Sequence, residues 1–226
     1  MKVLSRTQLR EYVTGHQLLS GTAERPGILR TGDERIIKAF YTREKQKKIS
    51  RNLIRPRAKR FATNGRNLER LGVVAPRVEE LVFCREIPVH MVRYPAIHGQ
   101  DVRQLCEHGD DSGLELLIGY LAKLHRQGVY FRGIHLGNVM RTIEGSLALL
   151  DIADLQTSRR ALSPWKRARN IAHLFNADRE HFTRYDPARF LSKYFEAAGL
   201  GSWQQGLLRM RMHWRLDEPL QTRRAG

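Results

Sequence analysis

A chain of 226 residues can bury one good core, or two small lobes, and no more. It carries 40 Lys and Arg against 23 Asp and Glu, a formal charge of +17, which is extreme for an ordinary soluble metabolic enzyme and points to a polyanionic partner. There is no run of eighteen uncharged apolar residues, the opening Met1–Arg6 lacks the apolar stretch of a signal peptide, and Cys84 and Cys106 have no metal-ligand spacing, so a cytoplasmic protein without disulfides is expected.

Taken in chain order, Gly27–Arg30 and Arg35–Phe40 read as two strands around the turn Thr31-Gly32-Asp33-Glu34. Side chains alternate along a strand, so Ile36, Lys38 and Phe40 share one face and a cation stands between two apolar neighbours. From Arg43 to Arg60 the chain is basic, with Lys45, Lys47, Lys48, Arg51, Arg55, Arg57 and Lys59 against the single acid Glu44. Such a run is either a solvated helix face or a surface for an acidic membrane, and the near absence of acids argues against simple pairing along a helix. Pro56 separates a loop from a helix reaching about Leu71, ended by Gly72. Glu80–Cys84 and Pro88–Val92 are the next strands, and Tyr94–Gly99 reads as a linker.

Beyond that linker the pattern turns helical. Ser112-Gly113-Leu114-Glu115 has the form of a capping box, and Leu114, Leu117, Ile118, Leu121 and Leu124 recur at helical spacing. Ser163-Pro164 and Asp186-Pro187 place a cap before a helix-starting proline, predicting helices near Pro164–Asn176 and Pro187–Ala198. The layout is α+β: a strand-rich N-terminal lobe over residues 1–96 and a helical C-terminal lobe over residues 97–226. Between the helices, His135-Leu136-Gly137-Asn138 leads into a hairpin turning at Glu144-Gly145, and its second strand ends in Leu149-Leu150-Asp151. An amide oxygen at Asn138 and a carboxylate at Asp151 are suitable ligands for Mg²⁺, which takes few protein oxygens.

The ordered set Leu124-His125-Arg126-Gln127-Gly128, then Phe131–Asn138, the hairpin and Leu150-Asp151, resembles the protein-kinase-like superfamily. Within it, the set is most similar to the lipopolysaccharide core kinases, which phosphorylate heptose or Kdo. The resemblance spans roughly Arg25 to Phe175 and implies a two-lobed kinase-like fold. It also implies that Lys38 pairs with the α/β-phosphates of ATP, that Asn138 and Asp151 hold Mg²⁺, and that Ile36, Val92 and Tyr94 lie about the nucleotide, with Val92–Ala96 as a hinge. Three departures accompany it. Gly133 stands at the family's catalytic Asp position, leaving His135 as the candidate catalytic residue with Asp154 as a further stand-in. Asn64 stands where an acid should meet Lys38, with Glu69 placed too late. Gly21–Gly27 keeps only its end glycines. The leading expectation is an ATP- and Mg²⁺-dependent phosphotransferase acting on a phosphorylated glycolipid or lipopolysaccharide core at the inner membrane's cytoplasmic face. A nucleotide-binding pseudokinase in envelope assembly is the alternative. Nucleic acid is the least favoured partner, because no recognised motif accompanies the charge.

Overall fold

The computed structural model describes residues 1–42 and 56–216, and divides them into two units. One comprises Met1–His98 together with Asp151–Asp154, and the other comprises Gly99–Leu150 and the described residues from Leu155 onward. The division falls two residues beyond the expected boundary and assigns the short segment after the hairpin to the first unit. The basic residues Lys45, Lys47, Lys48, Arg51 and Arg55 lie outside the described residues.

The first unit is a six-stranded sheet in the order β1-β5-β6-β4-β3-β2, made of β1 (Lys2–Leu4), β2 (Gln17–Gly21), β3 (Pro26–Arg30), β4 (Arg35–Tyr41), β5 (Glu80–Cys84) and β6 (Val89–Pro95). Two features at its start were not legible. β1 and the helix α1 (Arg6–Val13) precede the predicted strands, and α1 is opened by a capping box between Ser5 and Gln8. Leu4, Leu9, Leu29, Ile37, Val82 and Met91 form the core on that side of the sheet. The predicted β3–β4 hairpin forms, with Ile28 opposite Lys38. The edge strand β2 is exposed throughout, and its pairing with β3 shifts register at Leu18/Ser20 and again at Ser20/Gly21. Between them, a side chain at Gly21, where φ is +92°, would strike the Gly27 backbone, so the first of the two retained glycines is required by the turn itself.

The predicted basic helix is α2 (Arg57–Arg70), entered from Pro56 and closed by Gly72 at φ +63°. It buries Phe61 completely, against Tyr94 and Phe40 at ring-centroid distances of 5.5 and 5.8 Å. Enclosing a side chain of that size contributes roughly 1.5–3 kcal/mol. Tyr94 and Pro95 belong to β6, which corrects the expected linker: the strand pairs with β4 as far as Arg35 opposite Pro95.

The second unit is mainly helical: α3 (Val102–Glu107), α4 (Ser112–Arg126), α5 (Pro164–Ala177), α6 (Arg179–Arg184), α7 (Pro187–Ala198) and α8 (Ser202–Leu216). Ser163 and Asp186 cap α5 and α7 as expected, and Gly199 ends α7 in the left-handed region. The capping box at α4 does not form. Asp111 takes the cap position without a side-chain bond, while Glu115 pairs with Lys193 and Arg189 and accepts from Tyr185. Two cations and a phenol out-compete a backbone N–H for that carboxylate. The helices α3, α6 and α8 were not anticipated. Three short strands, β7 (Gly99–Asp101), β9 (Val139–Thr142) and β10 (Leu147–Leu149), make a small sheet, and β8 (Val129–Phe131) pairs with β11 (Leu155–Thr157). No helix among the described residues is long and apolar enough to cross a membrane.

Candidate functional site

In the first unit the β4–β6 register sets the candidates side by side. Lys38 lies opposite Val92 and Ile36 opposite Tyr94, so all four share one face of the sheet. Val92 is fully enclosed and Tyr94 nearly so, which makes both of them packing residues as well. Burial pushes the Tyr94 phenol well above its ordinary range, and the Asp151 carboxylate raises it further. Lys38 Nζ sits 5.8 and 5.7 Å from the rings of Phe40 and Phe61, an apolar collar that leaves its side chain 15% exposed.

Nζ of Lys38 meets Asp151 Oδ1 at 2.7 Å. That oxygen is shielded from solvent yet receives no directed hydrogen bond, so charge alone holds it there. Asp151 is one of two non-glycine described residues at positive φ, +35°, a conformation that its surroundings must stabilise. Helix α2 supplies the tethers. Asn64 Nδ2 donates to Ile152 O at 2.7 Å, and Arg57 and Arg60 each bind one oxygen of Asp154, at 3.0 and 2.9 Å. Gly65 lets the helix approach closely, since a Cβ there would meet Pro76 O at 2.4 Å. Two outcomes follow for the sequence reading. Asn64 acts on the backbone after Asp151, and both oxygens of Asp154 are engaged by arginines.

In the second unit the loop Phe131–Asn138 closes on itself, with Asn138 Nδ2 donating to Gly133 O at 2.8 Å and Asn138 N to His135 O at 2.9 Å. The amide oxygen is thus what Asn138 can offer to a metal. Across the hairpin, Leu150 N donates to Asn138 O at 2.8 Å, so Asn138 is matched with the residue preceding Asp151 in sequence. The Asp151 carboxylate in the first unit and the Asn138 amide oxygen in the second are each oxygen donors of the type Mg²⁺ takes. No cluster of three His, Cys, Asp or Glu exists among the described residues.

Sequence reasoning missed what holds this loop. Asp178, at the α5–α6 junction, has a fully enclosed carboxylate: Oδ1 accepts from Arg103 Nε and Nη2 at 3.1 and 2.6 Å, and Oδ2 from Leu136 N at 2.8 Å. Arg103 Nη2 also lies 3.4 Å from His135 Nδ1, which accepts from it in the tautomer that carries its proton on Nε2. At the loop's start a directional chain runs from Arg167 Nη1 to Tyr194 Oη (3.1 Å), on to His125 Nδ1 (2.7 Å), from His125 Nε2 to Asn170 Oδ1 (3.0 Å), and from Asn170 Nδ2 to Phe131 O (2.7 Å). His125 is wholly buried, and burial pulls its pKa down to about 3, so it is neutral. The distances in sequence explain the omission: a lone Asn, Asp and Tyr on later helices carry no local signal.

No family model matches the chain, and no curated protein matches it. Solved structures do. A co-crystal structure of WbdD with a kinase inhibitor is 17% identical over 85% of this chain and 43% of that one, with a TM-score of 0.51. Monomeric WbdD is 16% identical over 84% of this chain and 44% of that one, at 0.50. A medium-resolution structure that describes WbdD as a bifunctional kinase-methyltransferase gives 16% identity, 82% and 47% coverage, and a TM-score of 0.43. The chain spans less than half the length of these proteins. The likeness establishes the fold, which is α+β and protein-kinase-like as expected.

Proposed function

We propose that this chain binds ATP with Mg²⁺ and is a phosphotransferase acting on a lipopolysaccharide core sugar or a related phosphorylated glycolipid at an acidic membrane surface. The observation that carries the reading is the Lys38–Asp151 pair, a collared strand lysine 2.7 Å from a carboxylate held in an uncommon backbone conformation. In this reading Lys38 binds the α/β-phosphates, Ile36 and the neighbouring Val92 and Tyr94 support the base, and Asp151 and Asn138 hold Mg²⁺, which neutralises phosphate charge. Lys38 and Asp151 neutralise one another here; Lys38 would hold nucleotide phosphate and Asp151 would hold Mg²⁺, which would supply charge neutralisation.

A second reading, a nucleotide-binding pseudokinase, is favoured by Gly133. General-base assistance contributes about 10²–10⁴-fold to such reactions, so its loss slows transfer while leaving nucleotide binding intact. Asp154 is engaged by Arg57 and Arg60, which leaves His135 as the candidate for orienting the acceptor hydroxyl.

Calorimetric titration of ATP in Mg²⁺ and in chelator tests the common premise. Binding is expected to be tighter with Mg²⁺, and Asp151→Asn to remove most of the difference. Equal affinity in metal and chelator overturns the nucleotide reading. Transfer to lipopolysaccharide core acceptors, with ATP hydrolysis measured alongside, then separates enzyme from pseudokinase.

A further inference from the structure

Within the second unit, the loop Phe131–Asn138 and the start of α3 share one enclosed carboxylate. The Asp178 side chain is wholly shielded from solvent, and its oxygens are divided between the two elements. Oδ1 takes both Nε and Nη2 of Arg103, at 3.1 and 2.6 Å, and Oδ2 takes the Leu136 N–H at 2.8 Å. A guanidinium gripped through two of its nitrogens has its plane fixed, and with it the directions of its remaining N–H groups. From Nη2, His135 Nδ1 is 3.4 Å away. Gly137 reports the same closeness independently: a Cβ there would lie 3.4 Å from both Nδ1 and Cε1 of His135 and 3.6 Å from Cζ of Arg103. Ring and guanidinium therefore lie side by side against bare backbone. The helix that carries Arg103 is pinned at its start by Asp101, whose side chain accepts from Gln104 N at 2.9 Å.

We infer that Arg103 and Asp178 are positioning residues for His135, and that together they keep its ring proton on Nε2. A guanidinium only donates, so a proton on Nδ1 would confront an N–H that the carboxylate holds in place, and the contact would be lost. Asp178 acts through its neighbours: the one carboxylate sets the direction of the guanidinium and holds the backbone one residue beyond His135. What this serves rests on the phosphotransferase reading, in which His135 orients the acceptor hydroxyl. A neutral ring with its proton on Nε2 donates from that nitrogen and takes no proton there, so the loop orders the acceptor without supplying a base.

The experiment reads the two ring-nitrogen resonances of His135 by NMR in the full, isotopically labelled chain, at a pH where the ring is neutral. Nitrogens of a single tautomer lie far apart in shift, and those of an exchanging mixture draw together. The native chain is expected to show the separated pair with the proton on Nε2. Arg103→Lys keeps a positive charge beside Asp178 but lacks the fork that spans carboxylate and ring, so the fold should persist while the two shifts converge. Arg103→Met and Asp178→Asn should release the ring in the same way. Arg103 is 39% exposed, so its lysine variant decides the matter even if the change at enclosed Asp178 prevents folding.

A native ring protonated on Nδ1, or shifts that stay as in the native chain when Arg103 is changed to Lys and to Met, overturns the inference. In transfer to lipopolysaccharide core acceptors, Arg103→Lys should lower kcat by up to about 10²-fold with the KM for ATP unchanged, the loss expected of a misplaced orienting group. Native kcat in a variant whose ring has been released overturns the positioning role. A native protein that neither transfers phosphate nor hydrolyses ATP fails the phosphotransferase reading, and the ring measurement still decides whether Arg103 and Asp178 set the tautomer.

Discussion

Cations are treated differently in the two units. In the first, Lys38 has Asp151, Arg57 and Arg60 share Asp154, Arg35 has Glu79 and Arg93 has Asp33, each acid coming from a distant part of the chain or from a turn. Around the loop of the second unit, Arg103 is matched by Asp178, while Arg132 and Arg169 form no ion pair among the described residues. Paired cations order the chain or await exchange of partners. A strongly basic sequence thus contains two kinds of positive charge, and only the fold tells them apart.

Four measurements test this distinction. The largest effect belongs to the neutral network behind the cationic loop. His125→Ala removes a wholly buried ring and leaves Tyr194 and Asn170 without their partner, so unfolding free energy measured in denaturant should fall by about 3–5 kcal/mol. A loss under 1 kcal/mol would mean the network does not hold Phe131.

Gly133→Asp converts the loop toward the charge balance of the first unit. Phosphotransfer should rise from its basal level, up to about 10²-fold, as the carboxylate gains the acceptor hydroxyl. No rise in transfer or in ATP hydrolysis, with Mg²⁺-ATP still bound, would indicate a pseudokinase. On the paired side, Lys38→Met strips Asp151 of its cation and should weaken ATP binding about tenfold with the fold retained, as judged by circular dichroism. Unchanged affinity would remove Lys38 from the site.

The smallest effect is a pH slope. His125 has a folded pKa near 3, well below its unfolded value of about 6.5. The unfolded chain therefore binds the proton first, and this contribution to stability is complete above pH 6.5 and erodes as pH falls toward 3. The rate is about 1.4 kcal/mol per pH unit once below 6.5. Comparing native protein with His125→Gln isolates it: the variant should lose that much less stability between pH 6 and 5.

Much of this was legible from local signals. Proline and glycine marked α2, α5 and α7, strand alternation placed Lys38, and the hairpin between Asn138 and Asp151 followed from one turn. What escaped depends on choices between partners distant in sequence. Glu115 had the spacing of a cap but is taken by Lys193 and Arg189, Arg57 and Arg60 looked unpaired until Asp154 met them, and Asp178 and Asn170 carry no local mark of their tie to the loop. The short helix α3 escaped because its apolar stretch is too brief to show a period, although Asp101 caps it.

The irregular edge strand β2 has a consequence for handling the protein. A smooth exposed strand offers an unbroken row of N–H and C=O groups on which a second molecule can extend the sheet, and such pairing is a common route to precipitation. The two register shifts along β2 twist that row out of line, so neighbouring molecules find no continuous template, and Leu18 and Leu19 can stay exposed at high concentration without seeding fibrous growth.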